Sequence, residues 1–369
     1  MKKIIFILAI ILLVAAVGVG IYFGWKKSKE ILTPPSDDQQ SVIDNQQFST
    51  STILKPKLRI VSDQQVFDYF INQSSDVFYI TSLGHIFKVN ENKDELISDK
   101  NIENLIDVKA DKNGARIIVK YGNSNSPKID VFDIENKVWQ LIGNGSVSAA
   151  DFSPDSLKII YVEKKNNGVS DLITKDLNLI KPKTTKIMSL SYLPFDLQWV
   201  NSDSILLISA PSAGYVGEIW QLDLKTKAIK IFANSFGLML KWPIGGDSGL
   251  LFNSAKNQIS LIDSNAKKKA DIEILTLPDK CFINSTMIYC AVMQNYSDVL
   301  PKPALPDDYF KKAFYSVDKI YAIGITDNSS EIILSNEELP IVDAVNLSLS
   351  GNNLLFINRY DDKVYSLEL

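Results

Sequence analysis

The residues able to do chemistry are few. One histidine, His85, and two cysteines, Cys281 and Cys290, stand among 43 acidic and 39 basic side chains. A single histidine excludes a multi-histidine metal centre. Gly246-Asp247-Ser248-Gly249 has the make-up of a serine-nucleophile segment, and His85 is the one histidine able to serve it. That segment joins two short apolar runs, where Gly, Asp and Ser are what a tight turn requires, and no G-x-S-x-G elbow occurs. His85 follows Gly84 in a turn and is expected to pack by its ring rather than act as a base. Asp111-Lys112-Asn113-Gly114 has part of a calcium loop's composition without its spaced ligands or closing Glu, so it reads as a hairpin turn. The three arginines, Arg59, Arg116 and Arg359, are too few for a guanidinium clamp on a sugar carboxylate. No catalytic residue, metal site or cofactor is expected.

The composition is that of a globular chain: 369 residues, 46% hydrophobic, 22% charged, with 17 Gly and 14 Pro. A formal net charge of −4 and a pI near 5.3 provide no basic footprint for nucleic acid. After Lys2 and Lys3 an unbroken apolar run covers residues 4–25, which as a helix spans roughly 33 Å and crosses a bilayer. A cleaved signal peptide is the alternative, but its apolar region is about 7 to 15 residues long and ends in small residues. This run ends in Ile21, Tyr22, Phe23 and Trp25, which suit a membrane interface. Residues 1–25 are therefore expected to be an uncleaved single-pass anchor. Lys2 and Lys3 nearly balance Lys26, Lys27 and Lys29 across it. Because only a short stub precedes the run, export of everything downstream is the expectation, with cytoplasmic display as the other orientation. Residues 26–55, with Pro34-Pro35, Gln39-Gln40, Gln46-Gln47 and a Ser/Thr cluster at 49–52, read as a flexible tether with a reach on the order of 30 Å.

Residues 56–369 change character to short β-rich runs punctuated by turns, without a helical period. A hairpin recurs at 68–80, 107–119, 151–162, 198–208, 241–252, 280–292 and 346–357. Its first six starts lie roughly 39 to 47 residues apart, and the last step is longer by roughly 24. That excess is an insertion at 293–317. A third run follows every hairpin, from 85–89 to 363–369, and a fourth follows six of the seven, among them 138–142, 228–232, 272–275 and 331–334. Four strands per 40 to 45 residues is the period of a β-propeller blade. The expectation is an all-β, seven-bladed β-propeller of four-stranded antiparallel blades; two β-sandwiches are the rival, disfavoured by the even spacing. The last unit stops after its third strand, while the run 57–61 precedes the first hairpin. An open ring would leave an unpaired apolar edge, so 57–61 is expected to complete the seventh blade beside 364–367. Trp139, Trp199, Trp220 and Trp242 fall on predicted strands and are expected to fill wedges between blades.

Phe152-Ser153-Pro154-Asp155 followed by Lys158-Ile159-Ile160-Tyr161 resembles the strand-turn-strand core of TolB-like, WD40-like propeller repeats, with Ser156 where that pattern has Gly. Asp111 to Gly114 and Leu349-Ser350-Gly351-Asn352 are weaker echoes. The C-terminal third, with Lys280-Cys281, Tyr289-Cys290-Ala291-Val292, Leu305-Pro306-Asp307-Asp308 and the ending Val364-Tyr365-Ser366-Leu367, also resembles membrane-anchored bacterial propeller proteins without an assigned function. The resemblance implies the propeller fold and a protein-binding platform.

Two local features complete the reading. Hairpin register places Cys281 opposite Cys290, where a disulfide is geometrically allowed and expected if the body is exported; buried free thiols are the alternative. The insertion is stiffened by Pro301, Pro303 and Pro306 and then presents Asp307, Asp308, Tyr309, Phe310 and Lys311. In a propeller it shares a face with Tyr121, Tyr215 and the loop Arg359, Tyr360, Asp361 and Asp362. These residues are the expected partner-binding patch, Tyr309, Phe310 and Phe314 alternatively pinning the loop back onto the ring. The functional expectation is an extracytoplasmic binding or scaffolding module for a protein or cell-envelope component. The alternative is a glycan hydrolase or lyase using carboxylates and tyrosines on one face, and raised-pKa acids converging on the channel mouth would favour it.

Overall fold

The computed structural model describes residues 58–369, apart from 144, 166–167, 178–181, 192–193, 195, 244, 328 and 336–339. The anchor at 1–25 and the tether at 26–55 lie outside the described residues. Among those described, no helix is long and apolar enough to cross a membrane.

The second strand of each unit dictates the architecture. Ser204–Ile208 is buried at all five positions, and Asn353–Asn358 at all but the first. A strand with no polar face must be covered on both sides. Seven four-stranded antiparallel sheets arranged as blades supply that cover. Each core cluster accordingly joins neighbouring blades: Ala149, Val162 and Leu172 of the third meet Leu197, Trp199 and Leu207 of the fourth, while Val200, Ile208 and Phe232 of the fourth meet Trp242 and Ile262 of the fifth. Trp139 packs beside Phe132 in the second blade and Trp220 against the third-to-fourth cluster, so the tryptophans serve as wedge fillers.

The turn that carries the repeat resemblance explains its own sequence. The Asp155 carboxylate accepts from the Ser153 hydroxyl at 2.5 Å and from the Leu157 amide at 3.0 Å, and Ser153 Oγ accepts from the Lys158 amide at 2.8 Å. Ser156 holds φ = 60°, the left-handed conformation that suits Gly at this place. Gly246 to Gly249 likewise leads into the strand Ser248–Asn253, where Ser248 Oγ accepts from Lys269 Nζ at 2.6 Å. His85 pairs with Asn101 at 2.9 Å. Neither makes the contact of a catalytic dyad.

Two expected strands are displaced. The fourth strand of the fifth blade is Lys268–Ile272 rather than 272–275, because Ile274 and Leu275 turn into the core as part of the connection to the sixth blade. The sixth hairpin begins at Cys281, since Pro278–Lys280 forms a short 3-10 turn led by proline.

The ring is closed by both ends of the described chain. Leu58–Ile60 lies antiparallel to Lys363–Glu368, with Leu58 opposite Leu367, Arg59 opposite Ser366 and Ile60 opposite Tyr365. The Val61 amide extends the ladder to the Val364 carbonyl at 2.9 Å. Inward of this seam the Tyr69 hydroxyl of the first blade donates to the Asn346 and Leu355 carbonyls of the seventh at 2.6 and 2.8 Å. A chain beginning at Ser62 should therefore melt roughly 3 °C or more below one beginning at Lys55 in a calorimetric scan, because it loses this outer strand; equal melting temperatures would show the strand to be dispensable.

Candidate functional site

The insertion between the strands Met287–Met293 and Asp318–Gly324 is built around its own apolar residues. Leu305, Tyr309 and Phe314 are buried in the cluster that contains Cys281 and Cys290. Tyr296 meets Phe314 edge to face and donates from its hydroxyl to the Pro303 carbonyl at 3.1 Å. The short helix Asp307–Phe310 has no side-chain cap, and its acids are used elsewhere. Asp308 accepts from the Ala304 amide at 2.7 Å, while Asp307 accepts from the Ser212 hydroxyl at 3.1 Å and the Ala213 amide at 2.5 Å. The insertion thus reaches from the sixth blade to a loop of the fourth.

Beneath it lies a closed ionic network. Lys280 is fully buried, and its ammonium faces Asp318 Oδ2 and Asp343 Oδ1, both at 2.7 Å, Tyr309 Oη and Ser316 Oγ at 3.1 Å, and the Ala344 carbonyl at 3.0 Å. Asp343 also accepts from Arg359 Nη1 at 2.8 Å and the Ser316 amide at 3.0 Å. The Arg359 guanidinium stacks on the Tyr309 ring at 3.7 Å and the Tyr315 ring at 4.7 Å, and its Nη2 donates to the Tyr309 carbonyl at 2.8 Å. Two cations and two carboxylates balance in charge. Burial works against the Lys280 ammonium, but Asp318, Tyr309 and Asp343 outweigh it and hold the group charged. Asp343 likewise stays below the usual carboxylate range, burial being overcome by Lys280 and Arg359.

This network sorts the expected site residues. Tyr309 and Arg359 are buried within it and serve as pins, not as contact surface. Phe310 (48% exposed), Tyr360 (47%) and Tyr215 (50%) remain exposed. Tyr360 is held by its ring against Tyr315 and by its hydroxyl to the Ser316 carbonyl at 3.1 Å. Lys311 is exposed, while Asp361 receives the Tyr365 hydroxyl at 2.7 Å and Asp362 lies 3.9 Å from Lys312. Residues 307–311, 359–362 and the loop ending at Tyr215 are brought onto one face, Asp307 joining the first to the third.

Sequence reasoning missed a second cluster, on the inner strands around the ring axis. Lys109 of the second blade bonds Asp196 and, at 2.9 Å, the Leu197 carbonyl of the fourth, skipping the third; only a path across the axis permits this. Neighbouring blades are also tied there. Asp151 accepts from the Trp199 amide at 2.6 Å, Gln198 donates to the Leu240 carbonyl at 3.0 Å, Lys241 donates to the Cys281 carbonyl at 2.8 Å, and Asn346 donates to Asp68 at 2.9 Å. Burial, reinforced by the Asp107 charge, pushes Asp68 up to about 7, and burial pushes Asp107 and Asp151 up to about 6. Asp107 is exposed on the channel wall, where water competes with the protein, so half-buried Asp68 is the stronger case. Burial also lowers Lys241 and raises Asp279. Among the described residues, no three His, Cys, Asp or Glu gather as a metal site. The available signal was the recurrence of Asp68, Asp107 and Asp151 at the start of three hairpins.

No family model matches the chain, and no curated protein matches it. Solved structures do. An oligogalacturonate lyase in complex with manganese is similar at 8% identity and a TM-score of 0.54, over 85% of this chain and 91% of that one. The Cps50 (Swd1) β-propeller domain of Myceliophteria thermophila gives 9% identity and 0.52, over 84% and 98%. The tricorn protease gives 11% and 0.50 over 86% of this chain, which spans about a third (34%) of that protein's length. At such identities the likeness shows the fold alone, a seven-bladed β-propeller.

Lys280→Met leaves two buried carboxylates short of a cation and should cost about 3 to 5 kcal/mol in denaturant unfolding. At the axis the sign is opposite to that of an ordinary salt-bridged acid. Asp68 keeps its proton in the folded ring up to about pH 7, so its stabilising share is full below its ordinary value and is lost as pH rises through about 4 to 7. Asp68→Asn keeps an oxygen for the Tyr69 amide and Asn346. It should flatten the fall in melting temperature between about pH 4 and 7, and an unchanged slope would refute the assignment.

Proposed function

We propose that this protein is a binding module which holds a propeller outside the cytoplasm, on an N-terminal membrane anchor, and captures a protein or cell-envelope component with the face that carries the insertion. One observation carries the reading: Phe310, Tyr360 and Tyr215 stay exposed on loops that a buried ionic network and Asp307 hold in place. Aromatic side chains already fixed in position lose little entropy on binding, which is what makes them effective interface anchors. The Cys281–Cys290 disulfide supports an oxidising location. The acidic balance of the chain speaks against nucleic acid as the partner.

The test places the photoreactive residue p-benzoylphenylalanine in the full chain, in the cells that make it, at position 310, 360 or 157. Leu157 is 63% exposed in a hairpin turn at the opposite end of the blades. Discrete adducts are expected from 310 and 360 and none from 157; equal labelling from all three would overturn the reading.

A second reading has its own observation, the raised carboxyls of Asp68, Asp107 and Asp151 at the axis. Acids that keep a proton near neutral pH suit general acid catalysis on a glycan. Release of reducing ends from envelope glycans by the wild-type chain, lost in Asp107→Asn, would favour it.

A further inference from the structure

The chain has only two cysteines, and the structure joins them beside the residue on which the insertion hangs. Lys280 ends the turn Pro278–Lys280, and Cys281 opens the strand Cys281–Ile283. That strand is held to its neighbour by three register pairs, Cys281 with Cys290, Phe282 with Tyr289 and Ile283 with Ile288. The neighbouring strand, Met287–Met293, separates it from Asp318–Gly324, where Met293 lies opposite Asp318. The distance from Lys280 to Asp318 is therefore set by how firmly a three-residue strand sits on its partner. Lys280 must meet Asp318 and Asp343 at 2.7 Å each, with no water to make up an error, because all three side chains are fully buried. A short ladder at the inner end of a blade frays easily; a covalent rung next to Lys280 removes that freedom.

We propose that the Cys281–Cys290 bridge is the clamp that sets Lys280, so that the insertion docks and the binding face forms only in the oxidised chain. For its biological consequence this rests on the binding face proposed above; the clamp itself does not. In closing, the two thiols lose two protons and two electrons to a protein or small-molecule disulfide, which leaves as a pair of thiols. Both cysteines are completely buried once the ring is complete, so oxidation belongs to folding and the closed bridge is shielded from reductants. A chain retained in a reducing compartment would carry the ring with its insertion undocked, and so would not capture partners before export.

The experiment compares the full wild-type chain with a Cys281→Ala/Cys290→Ala variant by amide hydrogen exchange, reading residues 300–316 against the second-blade strands Arg116–Asn123 and Ser126–Asp133. A second variant, Cys281→Val/Cys290→Ala, restores core volume without the bridge. In both variants, exchange across 300–316 should quicken by about tenfold or more while the second blade is unchanged. Unaltered protection of 300–316 in either variant overturns the clamp. Equal loss in both segments overturns it too, since the bridge would then hold the whole ring. Photo-crosslinking from position 310, read in parallel, keeps the two ideas apart. If the wild-type chain gives no adduct while exchange responds selectively, the binding face fails and the clamp stands.

Discussion

A sheet whose second strand is apolar on both faces has no stable existence at the end of a row. Ser204–Ile208 and Asn353–Asn358 each need a neighbour on either side, and a linear stack of blades always leaves two outer faces uncovered. Closing the stack into a ring removes both ends at once. The condition is that the first and last blades bind each other as tightly as any adjacent pair. Here that falls to Leu58–Ile60 on the outside, pairing with Lys363–Glu368, and to Val66, Tyr69 and Tyr79 packed on Leu355, Ile357 and Val364 within. Every later feature, including the single orientation of the loops on one face, depends on this seam.

Once the ring is rigid, one loop can be made large without loosening the fold. The insertion of the sixth blade has little regular structure of its own, only the turn Asp307–Phe310, so its placement must come from elsewhere. Lys280 supplies it. Its partners come from the insertion side of the blade (Tyr309, Ser316, Asp318) and from the approach to the next blade (Asp343, Ala344), and Arg359 closes the network from the seventh. A buried ion pair adds little net stability compared with an apolar pair, because desolvation consumes the attraction. What it provides is position, since a buried charge tolerates no other arrangement. That is the property a loop needs if its exposed aromatics are to meet a partner already in place.

Most of the ring was legible because its physics is local. Hairpins with an apolar second strand repeat along the chain, and the lone run at 57–61 has no other place to go. The fifth blade's outer strand was misplaced because Lys268–Ile272, KKADI, is nearly polar, whereas Ile274 and Leu275 just beyond it are apolar but belong to a connection that dips into the core. The ionic network was not legible. Lysine is ordinarily a surface residue, and the partners that bury Lys280 lie 38 and 63 residues further on, at Asp318 and Asp343. The same distance effect inverted Arg359 and Tyr309: their types suit an interface, yet each is the other's partner inside the protein. The axial acids were visible as a recurring Asp at hairpin starts, but which way an inner strand turns its side chains is settled only when the ring closes.

The two charge clusters show opposite uses of burial. Around Lys280 every charge has a counter-charge in contact, and removing any one strands the rest, so the charges are needed because of each other. At the axis, tying one blade to the next does not by itself require charge. Gln198 ties the fourth blade to the fifth with a neutral amide, donating to the Leu240 carbonyl and accepting from the Trp242 amide at 3.1 Å. Asp151, one blade away, does the same work with a carboxyl whose ionisation burial opposes. An amide at Asp68 or Asp151 would hold the blades as well without that cost. The charges of Asp68 and Asp151 are therefore surplus to the architecture, whereas Asp196 holds Lys109 across the axis and the carboxyls beneath the insertion are part of the fold, and any chemistry this propeller performs at its axis must draw on the surplus.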